Sequence, residues 1–342
     1  MQQNKAWMSR VAALLCLLAP LTGGSALGQT EGELTAKTRL FPGVGPGLRA
    51  VRRGADGRIL VLASPSPGLL VFDKQGKQVF AIAEAAGGGA ANAKSGQSGI
   101  TFGEDFDVDA NGRIYVADRG LNAIQVFSPE GALLRSIPVA APLSVASLGE
   151  GEVAVATLRD PHLVVVFDRN GRDVREFGDP EQISERQDLN RFLNIGQLVS
   201  DAQGHLYYGF AYMPEPTVRL YDRNGYGAGP DVQYLALEAA SAAQAIRREI
   251  VRQEKHQKAP TFKRVLNGVG VEPASGEVWM AIGNTLIHFD KDGTRRASYQ
   301  IYTPEGARLE ANTLSIEPGR LIVGGDPIGV YEFDRPEKKI KP

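Results

Sequence analysis

Cysteine is all but missing from this chain. Cys16 is the single copy in 342 residues, so no disulfide can staple the fold and no cage of thiolates can hold a metal. Neither charge dominates. Lys and Arg number 38 against 39 Asp and Glu, which leaves no net field to draw the chain to nucleic acid or anionic lipid, and no tract interleaves aromatic with basic residues as a nucleic-acid face would. The four histidines, His162, His205, His256 and His288, lack metal-ligand spacing. There is no Gly-x-Ser-x-Gly elbow, and the run Gly87-Gly88-Gly89 lacks the Lys-Ser/Thr of a phosphate loop. No apolar run reaches the roughly 20 residues that cross a bilayer.

What is present at the start is directional. Lys5 and Arg10 precede an apolar run from Val11 to Leu21, and Thr22 to Gly28 is small and turn-rich. That order is a secretory signal, residues 1–28, with cleavage expected after Gly28 and cleavage after Ala26 as the alternative. Cys16 opens a lipoprotein reading, opposed by the bulky Leu15 before it. Removing Lys5 and Arg10 leaves 36 basic against 39 acidic residues, a net charge of −3. The expectation is an exported monomer, periplasmic or extracellular, with no transmembrane segment in the mature chain and a core that must hold without disulfides.

The rest of the chain is repetitive. Turn glycines pair along it at 57 and 76, 112 and 131, 151 and 171, 204 and 225, and 276 and 293, gaps of 19, 19, 20, 21 and 17. Gly319 opens a sixth pair, where Asp334-Arg335-Pro336 replaces the second glycine. Asn-Gly and Asp-Gly between short apolar runs mark hairpins, because glycine reaches positive φ without a Cβ clash. Ahead of each second turn stands a refrain, an aromatic followed by Asp or Ser: Phe72-Asp73, Phe127-Ser128, Phe167-Asp168, Tyr221-Asp222, Phe289-Asp290 and Phe333-Asp334. The aromatic supplies bulk between neighbouring sheets and the short polar residue starts the turn by bonding its own backbone. Six copies predict an all-β chain, a six-bladed β-propeller of four-stranded antiparallel blades in one domain, 29–342. The last copy lacks a fourth strand. Residues 34–41 precede the first complete copy, and this N-terminal strand is expected to close the sixth blade.

Ile114-Tyr115-Val116-Ala117-Asp118, then Asn122, then Ile124-Gln125-Val126-Phe127 resembles the NHL repeat of six-bladed β-propellers. The resemblance is closest in the second copy and covers roughly 40–334 in outline. It implies fold strongly and function hardly at all, since similar proteins include enzymes, sugar and peptide binders and protein-interaction platforms.

Long insertions fall between blades, at 84–99, 178–193 and 226–265, and share one face with the loops joining second to third strands. Within the last, 238–256 predicts an amphipathic helix, with Ala239, Ala243, Ile246 and Ile250 on one side and Arg247, Arg248, Arg252 and Lys255 on the other. Either that basic side is simply solvated or it is a lid or docking surface for an acidic partner. Glu181, Glu185 and Asp188 are expected to pair with it.

Residues expected at the channel mouth on this face are Arg49, Glu104, Leu143, Gly196, Asn267 and Asn312, with Asn194 close by. Glu104, Asn267 and Asn312 are similar to the oxygen-rich metal site of the gluconolactonase-like propellers; that resemblance implies a divalent cation such as calcium and a lactonase or esterase activity, from which Arg49 departs. Arg119, Arg159, Asp160, His162, Tyr212, Met213 and Glu215 lie on loops of the same face. With Arg49 they offer charge-assisted bonds and ring stacking to an anionic or sugar ligand. Asp118 and Asn122 are assigned to turn capping. With no complete catalytic set, the leading expectation is a module binding a protein, peptide or saccharide, with no cofactor; the metal-dependent hydrolase is the alternative.

Overall fold

Each blade is folded by a turn that carries its own hydrogen-bond acceptor. In the computed structural model, Asp73 Oδ1 accepts the backbone N–H groups of Gln75 and Lys77 at 3.0 and 2.8 Å. Ser128, Asp168, Asp222 and Asp290 repeat this pattern in their own turns. Gly76, Gly131, Gly171, Gly225 and Gly293 complete these turns at φ of 78 to 93°, a region closed to most side chains. The structure describes residues 30–64, 66–83, 99–158, 161–235, 237–256 and 258–336; the expected signal segment and nearly all of the 84–99 insertion lie outside them.

The chain is a six-bladed β-propeller. After β1 (Thr30–Thr35) and β2 (Thr38–Leu40), the first blade is β3–β6 (Leu48–Arg53, Ile59–Ala63, Gly68–Phe72, Gln78–Ala83) and the second is β7–β10 (Gly103–Val108, Ile114–Asp118, Ala123–Phe127, Leu133–Pro138). The third blade is β11–β14 (Pro142–Gly149, Glu152–Thr157, Val164–Phe167, Asp173–Phe177), and the fourth is β15–β18 (Gly196–Ser200, Leu206–Phe210, Thr217–Tyr221, Val232–Gln233). The fifth is β19–β22 (Gly268–Val271, Val278–Ile282, Thr285–Phe289, Arg295–Tyr302), and the sixth has β23–β25 (Glu310–Glu317, Arg320–Asp326, Gly329–Asp334) with β2 as its outer strand. Helix α1 (Gln187–Leu193) joins the third blade to the fourth, and α2 (Leu237–Glu254) joins the fourth to the fifth. Among the described residues no helix is long and apolar enough to cross a membrane.

The core is divided among the blade junctions rather than gathered at one centre. Apolar clusters fill the first–second, second–third, third–fourth, fourth–fifth, fifth–sixth and sixth–first interfaces. Each refrain aromatic faces the preceding blade: Phe127 packs on the first, Phe167 on the second, Tyr221 on the third, Phe289 on the fourth, Phe333 on the fifth and Phe72 on the sixth. Phe72 stacks on Phe41 at 3.9 Å, and Phe177 meets Tyr221 edge-on at 5.1 Å.

Two boundaries differ from the sequence reading. The strand expected over 34–41 is divided: β1 runs parallel to β22 as a fifth strand of the fifth blade, while β2 pairs antiparallel with β25. The chain crosses between the blades at Ala36, buried in their shared core and bonded to Tyr302 O, and Lys37, bonded to Glu332 O. The insertion expected over 226–265 starts later, because Val232 and Gln233 still pair with β17. What remains beyond the blade is 234–265.

Deleting 29–42 removes both straps and the Phe41–Phe72 stack; it should lower the melting temperature far more than deleting 339–342, and equal effects would show that the straps do not close the ring. Gly225→Ala tests the turns. A Cβ there would lie 2.5 Å from Phe177 Cγ at φ +93°, whereas at Gly306, φ +83°, nothing lies within 4 Å. Gly306→Ala should cost about 1 kcal/mol, from the left-handed backbone alone, and Gly225→Ala about 2–4 kcal/mol in thermal or urea unfolding.

Candidate functional site

The N-terminal ends of β3 and β7 bring three predicted residues together at the channel mouth. Arg119, from the β8–β9 loop, donates to Glu104 at 3.0 Å, and Arg49 lies 3.6 Å from the other oxygen of the same carboxylate. The Arg49 guanidinium sits over the Phe102 ring at 5.1 Å. Asp118, fully buried, places this loop by accepting the N–H groups of Thr101, Phe102 and Leu121 and the amide of Gln125. Asn122, at φ 51°, accepts Ala141 N–H. Asp118 thus caps its own turn through Leu121 N–H, whereas Asn122 ties the loop to the connection into the third blade.

The mouth does not fit the implied cation. Glu104 is held between two guanidinium groups, and Asn267 spends its carbonyl oxygen on Gly283 N–H at 3.1 Å. Among the described residues no hydrogen bond or ion pair joins Glu104 to Asn267 or Asn312, and no group of three or more His, Cys, Asp or Glu is placed to hold a metal. Hard cations need several convergent oxygens with lone pairs to spare. Asn312 instead lies at the junction with the fifth blade, where its backbone carbonyl approaches Gly268.

Across the same face the insertions build a roof. Arg186 donates to the carbonyls of Gln253, His256 and Lys258 at the end of α2, an arrangement that satisfies carbonyls a helix terminus leaves open. Ser184 donates to Glu254 at 2.7 Å, Arg247 pairs with Glu215, and Leu189, Leu193 and Ile250 are buried together beneath, against Ile246, Tyr212 and Phe262. The acidic residues expected to pair with α2 do not use its basic side: Glu181 pairs with Arg219 and Asp188 with Arg186, while Glu185 approaches α2 through its backbone. At about 100° per residue, Arg248, Arg252 and Lys255 lie opposite the buried Ala243 and Ile250, facing solvent.

Between the 178–193 insertion and the β12–β13 loop is a cleft of about 320 Å³ lined by His162, Gln182, Ser184, Gln187, Asn190 and Arg191, among others. His162 Nδ1 lies 3.9 Å from Asp179. Asn194, though at the cleft wall, is 4% exposed and structural: its side chain bonds Glu181 N–H, Glu181 O and Asn190 O. Arg159 and Asp160 lie outside the described residues.

A second set of polar residues, absent from the sequence reading, runs through the channel wall from blade to blade. Thr313 Oγ1 accepts Val51 N–H, Arg52 pairs with Asp105 at 3.1 Å, Ser144 donates to Asp105 and accepts Leu198 N–H, and Gln197 Oε1 accepts Val269 N–H. Thus every junction from sixth–first to fourth–fifth has a polar link. Burial raises the Asp105 carboxyl against the pull of Arg52 and Ser144. Burial likewise pushes Asp107 from 3.8 up to about 6, against Arg52 and the Ser147 N–H that it accepts at 2.7 Å. The signal was in the sequence: three carboxylates within Gly103–Val108 are foreign to an inner strand.

No protein-family model matches the chain, and no curated protein matches it in sequence. Solved structures do. A streptogramin B lyase is similar at 11% identity and a TM-score of 0.53, covering 86% of this chain and 95% of its own. Virginiamycin B lyase from Staphylococcus aureus, in a catalytically inactive form with quinupristin, is similar at 10% and 0.52, covering 86% and 83%. Hydrazine synthase from Kuenenia stuttgartiensis is similar at 10% and 0.51, covering 85% and 96%. At such identities the likeness establishes the fold alone.

Asp107 predicts a pH signature. Its folded-state pKa lies above the unfolded value, so the folded chain holds a proton that the unfolded chain has lost between pH 3.8 and about 6. Ionisation therefore costs stability as pH rises through that window. Asp107→Asn keeps an acceptor for Ser147 and should gain up to about 3 kcal/mol at pH 7 relative to pH 4. The check is the difference between variant and wild type in urea unfolding at the two pH values.

Proposed function

We propose that the protein is exported and serves as a binding module of the cell envelope, taking a polar peptide or saccharide in the cleft between the third and fourth blades. The observation that carries this reading is the cleft walled by the 178–193 insertion, which presents amide, hydroxyl, imidazole, carboxylate and guanidinium groups and is braced from behind by α2 through Arg186, Ser184 and a shared apolar cluster. Concave sites with a few converging polar groups are where small ligands and chain segments bind. Export is supported by the basic, apolar and small-residue order of residues 1–28. The channel mouth, with two guanidinium groups around one carboxylate, offers further anchorage for an anionic substituent on the same face.

The test is NMR titration of the mature chain with envelope saccharide and peptide fragments. Shifts should cluster at His162, Leu163 and 180–195. Gln187→Ala with Arg191→Ala, both exposed, should leave the melting temperature nearly unchanged and weaken binding about tenfold or more. Shifts centred on Arg49, Glu104 and Arg119, untouched by that double variant, would move the site to the mouth. Fragment turnover by the mature chain would replace the module with an enzyme.

A further inference from the structure

The end of the channel opposite the roof holds a cavity of its own, of about 250 Å³. It lies where the inner strands end in their tight turns, and Arg52, Arg53, Asp107, Ser200, Ser315 and Glu317 supply its polar lining. Its charges are sorted. On one side Arg52 is engaged by Asp105 at 3.1 Å, and Asp105 in turn is bonded by Ser144 and by Phe106 N–H. Arg52 gives its hydrogen bonds to Asp105 and to Val51 O and reaches Asp107 only through its field, which leaves Asp107, with Oδ2 on Ser147 N–H, without an ion-pair partner among the described residues. On the other side Glu317, 3% exposed, gives one oxygen to both Arg53 at 2.5 Å and Arg320 at 2.7 Å. Arg320 also reaches Glu332 at 3.5 Å, away from the channel on β25. Arg53 spends one N–H on Glu317, and a guanidinium carries five. Asp107 is thus answered by one N–H and by the field of Arg52, without a direct ion pair, and Arg53 has donors to spare.

We infer that this cavity is a second ligand site, for a small zwitterion whose ammonium meets Asp107 and whose carboxylate meets Arg53. Both contacts are charge-assisted and partly withdrawn from water, where such bonds are strongest. The serine hydroxyls bond whatever polar atoms remain. An uncharged sugar satisfies neither wall, and a plain anion or a plain cation satisfies one. The site is independent of the cleft at the 178–193 insertion, being built from the opposite ends of the inner strands.

Protonation adds a second handle. The groups facing Asp107 are Arg52 from β3, Asp105 from β7 and the Ser147 N–H from β11. With the Asp107 carboxyl titrating at about 6, the ionised form that holds an ammonium falls to about one-tenth at pH 5, and binding weakens about tenfold from pH 7.5.

Calorimetric titration of the mature chain with glycine, β-alanine, γ-aminobutyrate and 5-aminopentanoate tests this, since the series varies the spacing of the two charges. One length should bind most tightly. Its amide and its N-acetyl derivative, each lacking one charge, should bind at least about tenfold more weakly. Asp107→Asn and Arg53→Gln should each do the same, with circular dichroism confirming the fold, whereas Gln187→Ala with Arg191→Ala should change nothing. Absence of heat with all four at about 10 mM and pH 7.5 overturns the proposal. So does binding that survives either channel variant or is unchanged at pH 5.

Discussion

The ring depends on one contact repeated from blade to blade: a bulky side chain at the outer edge of one blade rests on the turn glycine of the next. Phe41 covers Gly76, Phe80 covers Gly131, Ile137 covers Gly171, Phe177 covers Gly225 and Val232 covers Gly293. At Gly131 and Gly225 a side chain on the turn would push against the covering ring of the neighbouring blade. Positive φ asks for glycine at all five positions, and close approach asks for it again at Gly131 and Gly225, where a Cβ would lie 2.7 Å from Phe80 and 2.5 Å from Phe177 Cγ. The remaining junction has Asp334-Arg335-Pro336 instead. There Arg335 reaches back to Glu277 at 2.6 Å and Glu272 at 3.9 Å in the fifth blade, and β1 and β2 bind the same two blades across their outer edges. Charge and a strap take the place of the glycine contact where the circle has to be closed.

A ring fastened in this way leaves its two faces free for different work. The tight-turn face is fixed by the repeat, because every turn there also serves as a blade contact. The other face carries loops whose length the blades do not constrain, and the roof of α1 and α2 grew there without disturbing any sheet. Its own small core, Leu189, Leu193 and Ile250, makes it a satellite that folds onto the third and fourth blades. At its tight-turn end the channel wall is charged on the first, second and sixth blades, carries Ser200 among aliphatic residues on the fourth and is apolar on the fifth.

Periodicity made the fold legible and hid the channel. The refrain Phe-Asp and the spacing of turn glycines identify blades because each copy meets the same physical demand, and six copies average out local ambiguity. The turn-capping role of Asp118 was legible for the same reason, whereas Asn122 bonds forward to Ala141 in the next connection. The mouth was half legible: alignment of inner strands brought out Arg49, Glu104, Asn267 and Asn312 together, and the structure joins the first two, while Asn267 gives its carbonyl oxygen to Gly283 N–H. Asn194 shows a related limit. A polar residue two positions from a ligand slot reads as a ligand until the 178–193 segment folds back and its amide is consumed within that segment. The split of 34–41 into two straps was beyond the sequence, since β1 pairs in parallel with a strand that lies more than 260 residues away.

Sites lie where the repeat is broken at a cost. In the inner strand of the second blade, Glu104 and Asp107 stand where the first blade has Arg49 and Arg52, and Asp105 where it has Ala50, and buried carboxylates are destabilising unless something answers them. Arg119 and Arg49 answer Glu104, and Arg52 answers Asp105. Asp107 is answered by one backbone N–H and by the more distant field of Arg52, and its raised pKa measures the shortfall. The other linked blade junctions are fastened with a threonine, a serine or a glutamine, without buried charge, so architecture alone does not require a carboxylate at position 107. The group that the ring does not need is the one left facing a cavity.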